Sequence, residues 1–233
     1  AGMVAQINAE ILAGVTLTQL IREGAPVLYG SVPVRARMDD LHDLYGCPEF
    51  NHYNIDCAQM ARFYNIPCYS TAGVGDAKMP GTQAVFEKLL THLYMGLSGA
   101  QYIHYAFGLL DRTNTFCPVQ AVIDNELIGK VKHCLRSAKV SREETEAAVT
   151  MVNKVMASSH RLFARHARKA IHAGDVSDPF RFESKDLQDR VIEKALEQMA
   201  EIQDRPHAHL PADVLDTVYA EVPRLLSQLR RSA

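Results

Sequence analysis

The residue types able to do chemistry gather around a glycine-rich loop. Gly73, Val74, Gly75 and Asp76 follow the apolar run 66–71 and precede a helix opened by Pro80. Glycines at such a place allow a tight turn with positive φ. The third glycine of a dinucleotide fingerprint is missing and no GK[ST] follows, so the loop does not match a nucleotide cradle. Asp76 serves either the loop, as a local acceptor, or a site, as a carboxylate. A second group is the stretch 101–107, QYIHYAF. Strand alternation puts Tyr102, His104 and Ala106 on one face. It puts Ile103, Tyr105 and Phe107 on the other, more apolar face, which is expected to meet helices. By the same rule Tyr29 with Ser31, and Tyr69 with Thr71, are expected on the face of His104. Such tyrosines fill a core or cage a quaternary ammonium through cation–π attraction. His104 is either a hydrogen-bonded core histidine or a member of that site.

Other chemistries find less support. His42 and His52 lie ten residues apart, and His160, His166, His172, His207 and His209 fall in helical or linker sequence, so no metal site is expected. No Ser/His/Asp or Cys/His signature is present. A Schiff-base lyase would need a lysine at a strand end, and the lysine closest in sequence, Lys78, lies past the strand. The cluster 124–126 (Asp, Asn, Glu) reads as an exposed helix face or a subunit contact.

The elements that position these residues follow from periodicity. A helix is expected from residue 2 to 21, with Val4, Ile7, Ile11, Leu12 and Val15 in one stripe. Short strands are expected at 27–31, 66–71 and 101–107. Helices are expected at 54–64, 80–97 (core stripe Val85, Leu89, Leu93) and 118–134. Strands alternating with long helices are the pattern of parallel α/β architecture. In a parallel barrel the strand ends and the loops after them form the active face. That places Ser31, Thr71, Gly73, Asp76, Gly108, Asp111 and Asn114 there. Beyond residue 140 no strand is evident. Ser141 and Glu144 match a capping box. Helices are expected at 185–202 and from Pro211, the last kinked at Pro223. The expectation is thus a partial barrel over 1–140 with about three parallel strands and a helical region over 141–233.

Composition sets the outer bounds. The 233 residues are 47% hydrophobic and carry 25 basic against 27 acidic side chains. Nucleic-acid binding through bulk charge is not expected. No apolar run is expected to reach the roughly 18–20 residues of a membrane span, and no secretory leader is expected. Five cysteines without CxxC spacing suit a reducing cytoplasm.

Three blocks resemble the trimethylamine methyltransferase family, the corrinoid-dependent demethylases of quaternary and tertiary amines. They are NAEILAGVTLTQLIREGAPVLYGS (8–31), STAGVGDAKMPGTQAVFEKLLTHLYMGLSGAQYIHYAFGLL (70–110) and DNELIGKVK (124–132). The resemblance covers about residues 5–135 in order and spacing. It implies a (β/α)8 TIM-type barrel, of which this chain is the C-terminal part with a helical appendage. It further implies methyl transfer from a methylated amine to the Co(I) corrinoid (cobalamin) of a partner protein, with no cofactor held directly. A quaternary ammonium leaves as a neutral amine, so the absence of an acid–base motif is consistent with that chemistry.

Some members carry pyrrolysine near the loop matching 73–76. This chain has only standard residues there, so it is similar to the branch acting on betaine-like compounds. On this basis Asp76 and His104 are the candidate catalytic residues. Tyr69, Thr71, Gly73, Val74, Gly75, Tyr102 and Gly108 are the candidate substrate-binding residues. Three strands are few for an eight-stranded barrel, so the chain is expected to be half of a longer enzyme that self-associates or binds a complementary half. The alternatives are a non-catalytic binding or assembly module, or a barrel lyase of the aldolase type.

Overall fold

Three parallel strands carry the architecture, in the order β1, β4, β5: β1 (Tyr29–Gly30), β4 (Cys68–Thr71) and β5 (Tyr102–His104). The computed structural model describes residues 2–137, 140–157 and 190–206, with single positions 165, 168, 169, 172, 211, 213 and 214. Tyr29 lies opposite Cys68 and Gly30 opposite Tyr69; Tyr69, Ser70 and Thr71 lie opposite Tyr102, Ile103 and His104. The expected parallel α/β pattern is therefore present, in strands shorter than the apolar runs.

β5 ends at His104 because Tyr105 turns to a left-handed φ of 59°. Alternation cannot carry past that residue. Tyr105 and Phe107, expected against the helices, are instead 44% and 54% exposed. Two antiparallel pairs of two-residue strands sit in the connecting loops. They are β2 (Arg35–Ala36) with β3 (Asp43–Leu44), and β6 (Leu109–Leu110) with β7 (Thr115–Phe116). Ladders this short leave no alternation to detect.

Helices cover one face of the sheet. α1 (Gly2–Ile21) and α2 (Pro48–Phe63) close over Tyr29 and Cys68, which are buried with Cys57, Ala58 and Ala61 and flanked by Ile7 and Ile11. Tyr29 thus faces the helices rather than sharing the face of His104, and its hydroxyl donates to Asn8 Oδ1 at 3.0 Å. Asn8 Nδ2 in turn donates to the Tyr64 hydroxyl at 3.1 Å. At 20 residues and a mean hydropathy of 1.3, α1 is long and apolar enough to cross a membrane by length and composition, which corrects the expectation from apolar runs. In the structure, Asn8 and the Ile7–Ile11 side tie it to the sheet's outer layer. α2 begins before the expected residue 54, because Pro48 takes the first turn, where its missing N–H is harmless.

α3 (Thr82–Ser98) ends at Gly99, whose φ of 80° is the left-handed cap glycine favours. α4 (Pro118–Cys134) matches its expected bounds. α5 (Arg142–Met156) starts with the expected capping box: Ser141 Oγ accepts from Glu144 N at 3.1 Å, and Glu144 Oε2 accepts from Ser141 N at 3.0 Å. α6 is Val191–Gln203. A second apolar cluster joins Ile123, Leu127 and Ala195, flanked by Val85, Val119 and Val191.

The chain divides into two units, Ala1–Met199 and Ala200–Ala233. The first holds the sheet and its helices. The described part of the second is the last turn of α6, the residues to 206, and positions 211, 213 and 214. The expected helix start at 185 and the kink at Pro223 lie outside the described residues, as do His160, His166, His207 and His209.

A buried amide fastens α2 to the sheet. Asn54 Nδ2 donates to the carbonyls of Pro33 and Phe50, and Oδ1 accepts from Ser70 Oγ at 3.2 Å. Replacing Asn54 with Leu leaves the Ser70 hydroxyl and the Pro33 carbonyl without this partner. The expected loss is about 2 kcal/mol of unfolding free energy, read from urea denaturation.

Candidate functional site

The face of the sheet turned away from the helices carries an aromatic stack. Tyr69 and Tyr102 are opposite one another, and their rings lie parallel with centroids 5.2 Å apart. His104 stacks on Tyr69 at 4.6 Å and 10°, and the Tyr105 ring tilts against His104 at 4.0 Å. Gly30, opposite Tyr69, makes room for the ring: a Cβ there would lie 3.3 Å from Tyr69 Cδ1. Tyr102 keeps 55% of its surface exposed, so the stack is an open wall rather than a closed cage.

His104 Nδ1 lies 3.0 Å from the carbonyl of Ser70. A carbonyl only accepts, so Nδ1 carries the proton and Nε2 keeps its lone pair. Burial pushes the His104 pKa below its usual value, against the Ser70 hydrogen bond, and favours the neutral ring. The wall thus carries electron-rich rings and no formal charge of its own.

The loops after β4 and β5 are held from beneath by α3 and α4. The inner face of α3 is polar: Glu87, Lys88, Thr91 and His92 are buried along with Ala84 and Met95. This differs from the expected stripe, of which Leu89 is exposed. Glu87 Oε2 accepts from the amides of Asp76 and Ala77, and Thr91 Oγ1 accepts from Gly73 N at 3.0 Å. Lys88 Nζ donates to Gly73 O at 2.8 Å and to Asp124 Oδ2 at 2.7 Å. Asp124 also accepts from Gly108 N at 2.8 Å and from Gln120 Nε2 at 2.7 Å. Both side chains of the Lys88–Asp124 pair are fully buried. Asp124 therefore lies inside the protein, not on the exposed helix face or subunit contact read from its neighbours.

The structure brings Tyr69, Tyr102 and His104 together and places the other candidates around them. Asp76 is an anchor: Oδ1 accepts from Tyr45 N at 3.0 Å and Oδ2 from Gly46 N at 2.9 Å. Val74 is buried against Tyr45 and Phe50. Thr71 is buried and donates to the carbonyl of His104 at 3.3 Å. Gly73 and Gly108 supply positive φ at 76° and 81°. Gly75 leaves space that Glu87 fills, since an added Cβ would lie 2.4 Å from Glu87 Oε2. Ser31 is buried rather than open to the stack. Asp111 and Asn114 lie in the β6–β7 turn, where the amides of Asp111 and Arg112 donate to the carbonyls of Ala77 and Gly75.

Sequence reasoning missed Lys88, His92, Glu87 and the role of Asp124. The available signal was a set of polar residues at helical spacing with Ala84 and Met95. Lys88 does not revive a Schiff-base reading, because its ammonium is buried and bound to Asp124 and Gly73. Among the described residues no group of three or more His, Cys, Asp or Glu is arranged to hold a metal ion.

With this geometry in view, the comparisons are specific. Residues 1–204 match the family model described as trimethylamine methyltransferase (MTTB). Trimethylamine methyltransferase MttB1 of Methanosarcina mazei is 32% identical over 96% of this chain and 46% of its own length. Trimethylamine methyltransferase MttB of Methanosarcina barkeri strain Fusaro is 36% identical over 73% of this chain and 34% of its own. Glycine betaine methyltransferase of Desulfitobacterium hafniense is 31% identical over 72% of this chain and 35% of its own. The chain thus spans less than half the length of these curated relatives.

Two outcomes test the loop supports. A Cβ at Gly73 would lie 2.1 Å from the Ala106 carbonyl oxygen, at a φ side chains rarely adopt. Gly73→Ala is therefore expected to lose at least about 2 kcal/mol in thermal or urea unfolding. His92 is held near pKa 4 by burial and by the charge of Lys88, against a backbone hydrogen bond at Ala106, while among the described residues its Nε2 has no hydrogen-bond partner. The unfolded chain protonates near pH 6.5, before the folded one does. Stability is thus full above pH 6.5 and falls as pH drops through about 4, by roughly 3 kcal/mol in all. Urea midpoints measured from pH 7 to 4 should show that slope, and His92→Gln should flatten it.

Proposed function

The chain belongs to the trimethylamine methyltransferase family, and we propose on that footing that it binds a methylated quaternary amine against the Tyr69–Tyr102–His104 stack and orients one methyl group for transfer. The stack is the observation that carries this reading. Stacked rings turn faces to one another, so the exposed side of Tyr102 is the surface offered to a cation, worth about 0.5–1 kcal/mol and more once water is excluded. A neutral His104 keeps the wall free of competing positive charge. Standard residues at 73–76 and the glycine betaine methyltransferase among the relatives support a betaine-type amine.

The methyl acceptor in this reading is a corrinoid carried by a partner protein, which supplies a strong cobalt nucleophile when docked. The residues here fit that arrangement, because the stack opens to solvent and leaves a bound cation approachable from outside. A quaternary amine leaves neutral, so the wall needs to hold and aim its ligand rather than deliver a proton. Asp76, Glu87 and Thr91 then act on the loops, through the amides of Tyr45, Gly46, Asp76, Ala77 and Gly73. We read the one-sided parallel sheet as an arc of a (β/α) barrel, the bare face being its lumen side.

The test is tetramethylammonium binding followed by tyrosine and histidine ring resonances, alongside methylcobalamin formation from glycine betaine and reduced cobalamin. Wild type is expected to bind, and Tyr102→Ala to bind about fivefold more weakly. Absence of binding overturns the reading. Binding without methyl transfer assigns the chain a binding role only. Affinity should hold above pH 6.5 and fall as pH drops through the lowered His104 pKa, since the imidazolium repels the ligand. His104→Gln should remove that dependence.

A further inference from the structure

The stack does not account for the most deeply buried charges in the described chain. Lys88 lies on α3 and Asp124 on α4, and neither reaches solvent. Their bonds run to two different loops. Lys88 Nζ holds the loop after β4 by the Gly73 carbonyl, and Asp124 Oδ2 holds the loop after β5 by the Gly108 amide. The 2.7 Å contact between them closes the chain of bonds. The loops meet each other as well: Ala72 N donates to His104 O, and Gly73 packs with no spare space against Ala106 O.

We propose that Lys88 and Asp124 are positioning residues, a clamp that sets the two loops against each other so that His104 keeps its place on Tyr69. The proposal rests on the cation-binding reading for its functional consequence, while the geometry of the clamp stands independently. Lys88, Gly108 and Gln120 all place N–H groups on Asp124, an arrangement that suits the carboxylate form. Burial works against both charges, pushing the Lys88 pKa down and the Asp124 pKa up. Apolar residues of similar volume often fill the place of a buried ion pair without loss of core stability. What they cannot do is donate to the Gly73 carbonyl and accept from the Gly108 amide. The ion pair is therefore explained by what it does to the loops rather than by what it adds to the core.

The test is the double variant Lys88→Met/Asp124→Leu, which removes both charges together. Single apolar variants strand a buried charge and are expected to unfold at lower temperature. The double variant strands no charge but leaves the Gly73 carbonyl and the Gly108 amide without this partner, so it is expected to melt between wild type and the single variants. It should bind tetramethylammonium at least tenfold more weakly, and its His104 should titrate closer to the ordinary histidine value. Wild-type affinity together with an unchanged His104 titration overturns the proposal. If wild type itself does not bind tetramethylammonium, the cation reading fails. The clamp is still judged by the His104 titration and by Gly108 amide exchange. If the double variant does not fold, Asp124→Ser carries the test. Its hydroxyl is one bond shorter than the carboxylate that the Gly108 amide donates to, so faster Gly108 exchange with a shifted His104 titration is expected. Wild-type values for both overturn the clamp.

Discussion

A buried ammonium–carboxylate bond between α3 and α4 is the interaction on which the site loops depend. Parallel strands end in loops whose backbone groups have no ladder partner, and each buried N–H or C=O must be satisfied another way. Here Lys88 meets the Gly73 carbonyl, Thr91 the Gly73 amide, Asp124 the Gly108 amide, and Glu87 the amides of Asp76 and Ala77. The inner face of α3 is polar for this reason. Its charged and hydroxyl side chains stand in for the sheet hydrogen bonds that the loops lack.

The sheet above these loops is two-sided in chemistry. One face is packed, with Tyr29, Cys68 and Ser70 against α1, α2 and Met95. The other bears Tyr69, Tyr102 and His104 as stacked rings open to solvent. Parallel sheets are ordinarily covered on both faces. A wall of aromatic rings left open at the carboxyl ends of such strands is well suited to a ligand. The Ser70 carbonyl, which fixes the His104 tautomer, belongs to the neighbouring strand, so the electronic state of the wall depends on the strand register.

Much of the frame was legible in the residues. Pro118 and the Ser141–Glu144 box marked helix starts, and the apolar runs marked the parallel strands. The pairing of Tyr69, Tyr102 and His104 on one face followed from alternation. Alternation failed at Tyr105, because a left-handed residue ends the strand and no residue type announced it. It failed for Tyr29, because alternation within each strand does not set the stagger between strands. That stagger puts Tyr29 opposite Cys68 and leaves Gly30 beside Tyr69. Hydrophobic periodicity found only part of the packed side of α3: Val85 joins the Ile123 cluster, Leu89 is exposed, and polar residues beside them serve the loops.

By itself, then, the sequence determined the local elements and the family. Caps, prolines, glycines and periodicity act over a few residues, and the three matching blocks preserve order and spacing. Tertiary structure alone decided that Lys88 meets Asp124 and that Asp76 is an anchor for the amides of Tyr45 and Gly46. These partners lie far apart in the chain. Whether a buried charge is matched depends on distances of a few ångströms that no local pattern encodes.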